Sequence, residues 1–286
     1  MKFLKPTIGL ALGGGGAKGA AHLGVLRYLY EKDIELGAIS GTSAGAIVAA
    51  LYAFGLTPEE IKEALLELDP LSIKSLRIGE LGLLKNLTLE SMLKKHLPEE
   101  ARIEHATIPL AIHATDLTSG EGVDFYSGDV VEAVLASTSV PGIYIPQKMN
   151  DRLLVDGGLT ENVPVNSLRK LGAKAIVAVN LNGQRGYHAP ETIFDCITNS
   201  IEIAIDSQTR FQLRKVEIKI ELDLVNYSRF DLKDLDELER KGHEAANAVI
   251  SRAYKITFLH YVNKMFRLLN NLLPPVIERL FHFRKS

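Results

Sequence analysis

The feature that most constrains this chain is the repeated succession of a short apolar segment, a glycine-rich turn and a helix-like segment. Thr7 to Leu12 is predominantly apolar and runs into the glycines at 13–16, after which apolar residues recur at helical spacing. Leu36 to Ser40 repeats the pattern before a second small-residue turn, and Ala44 to Phe54 predicts a helix that is apolar on all sides. Strands without a polar face are typical of a buried, mainly parallel sheet.

Later segments continue this alternation. Thr57-Pro58-Glu59-Glu60 predicts a helix start, with an N-cap residue and Pro at the first helical position. Further strands are predicted at Ile108–His113, Arg152–Val155 and Lys174–Val179, and further helices at Val130–Ala136 and Asn166–Leu171. The pattern predicts an α/β fold in three layers, with a mainly parallel sheet and helices on both of its faces.

Composition narrows the classes of function. The 33 Lys and Arg residues against 35 Asp and Glu give a formal net charge of -2, so no general basic field would hold nucleic acid. The single cysteine, Cys196, excludes an internal disulfide and a cysteine-built metal site, and it fits a cytoplasmic, reducing location. Met1–Lys5 resembles the start of a secretory signal, but the glycines that follow are poor helix formers. Leu36–Pro58 has no charged residue, yet glycines and serines interrupt it, so no transmembrane helix is predicted.

The segment 254–286 differs from the preceding chain, which we interpret as one domain over 1–253. Its six Lys and Arg residues stand against one acid, Glu278, and its apolar residues from Phe258 to Leu272 fall at helical spacing. This pattern predicts a basic amphipathic helical tail that contacts an anionic membrane surface. A terminal helix packed on the domain, with a solvated basic face, explains the same pattern at least as well.

The first glycine-rich turn, Gly14-Gly15-Gly16-Ala17-Lys18-Gly19, matches G-x-G-x-x-G. Dinucleotide-binding folds combine this signature with an acid at the carboxyl end of the second strand. Here Asp33 and Glu35 precede the second strand, which argues against a dinucleotide. A glycine-rich loop at a helix N-terminus also presents backbone N–H groups to a phosphate or an oxyanion, and Lys18 would add a positive charge.

The second turn, Gly41-Thr42-Ser43-Ala44-Gly45, matches G-x-S-x-G. In the nucleophile elbow of hydrolases, this motif projects a serine from a strained turn between a strand and a helix. Both flanks agree with that arrangement, so Ser43 is the candidate nucleophile.

A serine nucleophile needs a group that accepts its proton. Asp156-Gly157-Gly158 follows the predicted strand Arg152–Val155 and offers a carboxylate, although a hairpin turn explains Asp-Gly equally well. Among the histidines, His188 in the loop 183–190 is the one suitably placed for a Ser-His-Asp triad. His113 falls inside a strand pattern and is interpreted as structural.

Taken together, these motifs resemble the patatin-like phospholipases, whose pattern is a Gly-rich loop with a basic residue, then G-x-S-x-G, then D-G-[GA]. Three local matches accompany them, Thr115-Asp116-Leu117, the run 136–142 and Asn162-Val163-Pro164. The resemblance is strong over Ile8 to Leu171 and extends weakly to residues 242–246. Gly13 stands where the family tends to have Asp, a departure that leaves the assignment intact.

The resemblance implies a patatin-like α/β hydrolase domain over 1–253, with its motif-bearing core at 8–171. It implies a lipid acyl hydrolase of the phospholipase A, lysophospholipase or carboxylesterase type. Ser43 would be the nucleophile and Asp156 the base, with no catalytic histidine; Gly14, Gly15, Gly16 and Lys18 would form the oxyanion site. No metal or cofactor is expected, and no dependence on calcium is expected. An aspartate is a poor base at neutral pH unless desolvation raises its pKa, so a dry site is also expected.

Two alternatives stay open from the sequence. One is a Ser-His-Asp esterase that uses His188, and the other is a membrane-docking or regulatory protein that uses the tail 254–286. The apolar residues within Leu71 to Leu97 fit an acyl pocket, a lid or ordinary core packing.

Overall fold

An eight-stranded sheet forms the centre of the computed structural model, which describes residues 8–68, 84–184, 186–187, 189–216, 218–229 and 231–252. Its strands are β1 (Ile8–Leu12), β2 (Leu36–Thr42), β3 (Leu110–Asp116), β4 (Gly122–Phe125), β5 (Gln147–Met149), β6 (Arg152–Asp156), β7 (Ala175–Asn180) and β8 (Ile218–Glu221). The strand order is β5-β6-β3-β2-β1-β7-β8, and β4 also pairs with β3. The run from β3 to β8 is parallel, whereas β4, β5 and β6 are antiparallel to their neighbours, so the predicted mainly parallel sheet is confirmed.

Helices connect these strands. They are α1 (Ala21–Glu31), α2 (Ala44–Ala53), α3 (Pro58–Leu66), α4 (Leu87–His96), α5 (Val130–Ser137), α6 (Gly158–Glu161), α7 (Val165–Lys170) and α8 (Ile193–Gln212), and 235–252 is also helical. The sequence predicts several of them but not α4, α6 or α8. At α3 the predicted cap forms a capping box, since the Thr57 hydroxyl accepts the Glu60 N–H and the Glu60 carboxylate accepts the Thr57 N–H. A short 3₁₀ turn, Gly16–Ala20, precedes α1.

Helices cover both faces of the sheet. On one face, Ala11 of β1 belongs to the same buried cluster as Val165 and Leu168 of α7. Because successive side chains of a strand alternate, Leu10 and Leu12 point to the other face, where α2 packs against β1, β2 and β3. This arrangement is the predicted three-layer fold, and it places the carboxyl ends of β1 and β2 side by side.

The chain divides into two compact units, Met1–Ala246 and Asn247–Ser286. The second unit is described only to residue 252, so the boundary at 253/254 and the basic tail 254–286 lie outside the described residues and stay predictions. Over the described ranges, the structure contains no helix of sufficient length and apolarity to span a bilayer.

Candidate active site

Ser43 occupies a strained turn between β2 and α2. Its backbone angles, φ 52 and ψ -123, fall in a region that an L residue rarely adopts. The two flanking glycines allow this turn to approach its neighbours, because a Cβ on Gly41 would lie 2.3 Å from the Gly45 carbonyl oxygen, and one on Gly45 would lie 2.1 Å from the Leu12 carbonyl oxygen. The G-x-S-x-G spacing is therefore a packing requirement of this turn.

A relay of hydrogen bonds fixes the backbone at Ser43. Its N–H donates to the Ser137 hydroxyl at 2.9 Å, and that hydroxyl donates to the His113 carbonyl oxygen at 2.6 Å. Ser137 ends α5 and His113 lies on β3, so the turn is tied to the next strand of the sheet. The backbone of Ser43 is therefore held in place, and the residue is 8% exposed.

Asp156 lies at the end of β6, directly beside Ser43. Its N–H donates to the Ser139 carbonyl oxygen at 2.9 Å, and the Gly158 N–H donates to its Oδ1 at 2.8 Å. Burial raises the pKa of Asp156, an effect that the nearby Ser43 side chain and the Gly158 N–H oppose. The residue is 9% exposed, which agrees with the burial that an aspartate base requires.

The turn after Asp156 is not a hairpin. Gly157 adopts helical angles, φ -67 and ψ -17, and α6 begins at the next residue. A Cβ on Gly157 would lie 2.3 Å from the His113 carbonyl oxygen, so this glycine lets β6 and α6 approach β3. The alternative of an Asp-Gly hairpin is therefore wrong, because close backbone packing explains the glycine.

Only some of the N–H groups of the glycine loop lack a hydrogen-bond acceptor among the described residues. The Gly14 N–H donates to Asn162, to both its carbonyl oxygen and its Oδ1 at 3.2 Å. No described residue accepts the N–H of Gly15 or Gly16, and the same holds for Ala44, the residue that follows the nucleophile. Gly14, predicted as an oxyanion donor, thus already uses its N–H. The sequence interpretation missed Ala44, although the nucleophile-elbow template points to the residue after the serine.

Lys18, a predicted member of the oxyanion site, is buried among charged side chains. Its side chain is buried, and burial, with the nearby charge of Arg229, lowers its pKa to about 8. Glu202 and Asp206 act on it in the opposite direction. Lys18 is absent from the described residues that line the cavities around Ser43, so its direct participation in an oxyanion site gains no support from its place in the structure.

Two cavities meet at Ser43. The first, of about 140 Å³, is walled mainly by apolar side chains of the layer that contains α2, among them Ile47, Val48, Leu65, Leu68, Leu89, Val140 and Ile143. The second, of about 120 Å³, contains the polar residues Asp156, Asn162, Asn182, Glu202, Asp206 and Arg229. Gly16, Ser43, Val140, Ile143 and Arg229 line both. Ser43 therefore stands between two cavities with largely apolar walls, of which the second adds the carboxylates of Asp156, Glu202 and Asp206.

The segment Leu71 to Leu97 is described only from residue 84. There Leu84 bridges to Tyr144, and Leu89 of α4 is buried in the wall of the first cavity. The part up to residue 83 lies outside the described residues, and its predicted role as a lid stays a prediction.

The histidines take different places. His113 is buried on β3, with Nδ1 at 2.8 Å from Asp124 and Nε2 at 2.9 Å from Thr160, which agrees with a structural role. His22 of α1 is buried behind the glycine loop, where Nε2 lies 2.7 Å from the Gly13 carbonyl oxygen and burial lowers its pKa to about 4. His188 lies outside the described residues, so the triad alternative stays a prediction.

The described residues contain no group of three or more His, Cys, Asp or Glu arranged to hold a metal.

This combination of a serine elbow, a partnered aspartate and an α/β sheet defines a hydrolase-like site, and comparison with known proteins gives its family. The patatin-like phospholipase model matches residues 10–169, more than half of the 286-residue chain. The chain therefore belongs to the patatin-like phospholipase family, and the resemblance found in the sequence is confirmed.

Individual relatives agree with this family. An uncharacterized NTE family protein of Mycobacterium tuberculosis is 34% identical over 180 residues, which is 62% of this chain and 50% of the relative. A patatin-like phospholipase domain-containing protein of Caenorhabditis elegans is 33% identical over 190 residues, 61% of this chain and 14% of the relative. The chain thus spans half of the length of the first relative and a smaller share of the second.

A solved structure shows the same fold. VipD from Legionella pneumophila matches with a TM-score of 0.54 at 18% identity, over 87% of this chain and 67% of that chain. At this identity the likeness concerns the fold alone.

Proposed function

We propose that this protein is a lipid acyl hydrolase in which Ser43 is the nucleophile and Asp156 the general base. The observation that carries the proposal is that Ser43 and Asp156, both buried, line the same cavity, where the Ser43 side chain acts on the Asp156 carboxyl and lowers its pKa. Burial raises the pKa of Asp156, and a raised pKa makes its carboxylate a stronger proton acceptor. The family supports an ester of a lipid as the substrate.

The first half of the reaction forms an acyl-enzyme. Asp156 accepts the proton of the Ser43 hydroxyl while the Oγ atom forms a bond to the ester carbonyl carbon. The carbonyl π electrons move to its oxygen, and in this proposal the N–H groups of Gly15, Gly16 and Ala44 bind that oxygen. One such donor contributes roughly 3 to 4 kcal/mol to the transition state, and the N-terminus of α2 adds its positive dipole.

The second half releases both products. The tetrahedral intermediate collapses when the bond to the alcohol breaks, and Asp156 donates its proton to the departing oxygen. Asp156 then accepts a proton from a water molecule that attacks the acyl-Ser43 carbonyl. Breaking of the bond to Oγ frees the fatty acid, and the proton returns to Ser43.

The first cavity is the proposed acyl site. Its wall consists mostly of aliphatic side chains, and burial of a methylene in such a wall contributes roughly 0.8 kcal/mol. Longer acyl chains should therefore bind more tightly until the cavity is filled. Leu89, from the segment predicted to line an acyl pocket or to belong to the core, contacts this space.

The test is hydrolysis of a series of p-nitrophenyl esters by the wild-type chain and by two serine variants. Ser43→Ala should reduce kcat to background, whereas Ser40→Ala should leave it within about threefold. Ser40 is the matched control, since it is a buried serine on the same strand whose hydroxyl donates to the Pro164 carbonyl oxygen at 2.8 Å. Full activity of Ser43→Ala, or no hydrolysis of any ester by the wild type, would refute the proposal.

A further inference from the structure

The glycine loop at 13–16 has no side chains that could fix its conformation. Glycine loses more conformational freedom on ordering than other residues, so the order of this loop depends on contacts to its backbone. The loop lies against the nucleophile, since a Cβ on Gly14 would lie 3.1 Å from the Ser43 Cβ. Gly15 and Gly16 line the cavity that contains Ser43 and Asp156. The directions of their N–H groups therefore depend on what holds the start of the loop.

The first peptide unit of the loop, between Gly13 and Gly14, is held on both sides. The Gly13 carbonyl oxygen lies 2.7 Å from Nε2 of His22. The Gly14 N–H donates to the carbonyl oxygen and to the Oδ1 of Asn162, each at 3.2 Å. A trans peptide is planar, with its C=O and N–H on opposite sides, so these contacts fix the orientation of the whole unit. The Gly13 N–H also donates to the Val179 carbonyl oxygen of β7 at 3.0 Å.

His22 reaches this peptide from the first turn of α1. Its side chain is fully buried, and burial lowers its pKa to about 4, so the imidazole is uncharged at neutral pH. A neutral imidazole has one N–H and one unprotonated nitrogen. Because a carbonyl oxygen only accepts hydrogen bonds, the proton lies on Nε2, and the Nε2–H donates to Gly13.

The other ring nitrogen shows that packing alone does not explain this histidine. Nδ1 is buried and has no hydrogen-bond partner among the described residues. Burial of an unpaired polar atom is unfavourable. Buried aliphatic residues of the same helix carry no such penalty, and they include Leu23, Leu26 and Leu29. What His22 offers, and an apolar residue does not, is the hydrogen bond from Nε2–H to the loop.

We propose that His22 is a positioning residue, whose Nε2–H holds the first peptide unit of the loop so that the N–H groups of Gly15 and Gly16 bind the substrate carbonyl oxygen. This inference rests on the proposed function, because it specifies how the oxyanion donors of that reaction are kept in place. His22 is absent from the described lining of both cavities, so it acts through the backbone of the loop. Donors that are already in place stabilise the transition state without reorganisation during the reaction.

Two substitutions separate the hydrogen bond of His22 from its volume. His22→Gln removes the ring but places an amide N–H near the position of Nε2, so a donor to the Gly13 carbonyl oxygen remains. His22→Phe retains a ring and removes the donor. His243 is the matched control, because it also contacts α1, with Nε2 at 2.9 Å from Glu31 and its ring against Tyr28. It lines neither cavity in the described part of the chain.

The experiment measures kcat and KM of the full chain for a short p-nitrophenyl ester, together with the Tm of each variant. His22→Phe should lower kcat roughly 10- to 100-fold and leave KM within about twofold, because displaced oxyanion donors act on the transition state. His22→Gln should retain kcat within about fivefold of the wild type. The same substitutions at His243 should change kcat by less than about twofold. A purely structural role of the ring predicts the opposite order, with Phe more active than Gln.

A second measurement uses the wild type and does not depend on the folding of a variant. Proton–nitrogen correlation NMR identifies which ring nitrogen of His22 carries the proton. We expect Nε2–H, and we expect its resonance to shift when a fluorophosphonate modifies Ser43. The phosphoryl oxygen of that adduct takes the place of the oxyanion, so it changes the polarisation of the loop to which His22 donates.

The inference is overturned if His22→Phe is as active as the wild type, or if both His22 variants keep their Tm and lose kcat equally. It is also overturned if the proton lies on Nδ1, or if the Nε2–H resonance does not respond to the adduct. If neither variant folds, the wild-type spectra decide. All of these results leave Ser43-dependent hydrolysis in place. The proposed function fails separately, when the wild type hydrolyses no ester or Ser43→Ala changes nothing, and the inference fails with it.

Discussion

Two aspartates lie on strands that pair with β3, and they differ in burial and in the donors around them. Asp124, on β4, is 12% exposed and accepts hydrogen bonds from His113, Ser167 and Lys170 at 2.7 to 2.8 Å. Burial acts to raise the pKa of Asp124, but these three hydrogen bonds outweigh it and hold the pKa well below its usual range. Asp124 is thus an ionised structural anchor.

Asp156, on β6, has fewer donors. The Gly158 N–H donates to it and the Ser43 side chain lies near it, but burial outweighs both, so its pKa is raised. The comparison shows that burial alone does not make a carboxylate basic. The balance between burial and hydrogen-bond donors therefore separates an aspartate that stays ionised as an anchor from one that is suited to accept a proton.

The largest expected effect is that of Asp156→Asn. Removal of the general base should lower kcat by roughly 10³-fold or more, whereas Asp124→Asn should change kcat per folded molecule by less than about threefold. Steady-state kinetics with a short p-nitrophenyl ester measures both. Similar kcat losses in the two variants would abolish the distinction between the aspartates.

The second prediction concerns acid pH, where the two pKa shifts have opposite signs. The active form of Asp156 is the carboxylate and its pKa is raised, so kcat should fall as the pH drops through that raised pKa. Asp124 has a depressed pKa, so its contribution to stability is present above the unfolded pKa and is lost as the pH falls through the lower folded pKa.

Acidification should consequently abolish activity before the contribution of Asp124 to stability is lost. Parallel measurements of kcat and of Tm against pH test this order, with Asp124→Asn expected to change the Tm curve and leave the midpoint of kcat unchanged. A kcat that stays constant until the protein unfolds would show that Asp156 has no raised pKa.

The third prediction concerns stability, for which Asp124→Asn should have a larger effect than Asp156→Asn. Asp124→Asn should reduce the free energy of unfolding by about 2 to 3 kcal/mol, since charged hydrogen bonds to a buried group are lost. Asp156→Asn should leave it unchanged or raise it at neutral pH, because a raised folded pKa means that the carboxylate destabilises the fold there. Urea unfolding gives both values; a large loss of stability in Asp156→Asn would contradict this view of the site.

The smallest effect is expected at Lys170. Its ammonium group lies 2.7 Å from Asp124, but its side chain is 64% exposed. Lys170→Met should lower the free energy of unfolding by only about 0.5 kcal/mol, as exposed ion pairs do, and should not alter kcat. Urea unfolding of the wild type and of Lys170→Met at low and high salt measures this change in the free energy of unfolding. A loss comparable to that of Asp124→Asn would show that Lys170, and not the buried donors, keeps Asp124 ionised.

Much of this site could be predicted from the sequence, because its parts are local. The turn at Ser43 follows from small residues between a strand and a helix, and the D-G-G turn follows from its place at a strand end. These two turns lie beside each other because β6 pairs with β3 and β3 with β2. The sequence alone does not show that pairing; the resemblance to a known family supplied only the expectation that Ser43 and Asp156 act together.

The remainder depended on contacts between distant segments. The Gly14 N–H donates to Asn162, far along the chain, and Lys18 is buried near the charged side chains of Glu202 and Arg229. No local motif marks Arg229, whose carbonyl oxygen anchors the glycine loop. The helix α8 was also missed, although Thr192 and Asp195 form a capping box that could have marked its start.

The measurement that tests the central claim most directly is the rate at which a fluorophosphonate modifies Ser43. Mass spectrometry of the wild type, Asp156→Asn and Asp124→Asn would give the site and the rate constant of modification for each. We predict a single adduct on Ser43, formed at least about 100-fold more slowly in Asp156→Asn and at the wild-type rate in Asp124→Asn. An adduct on another residue, or equal rates in all three proteins, would contradict activation of Ser43 by Asp156.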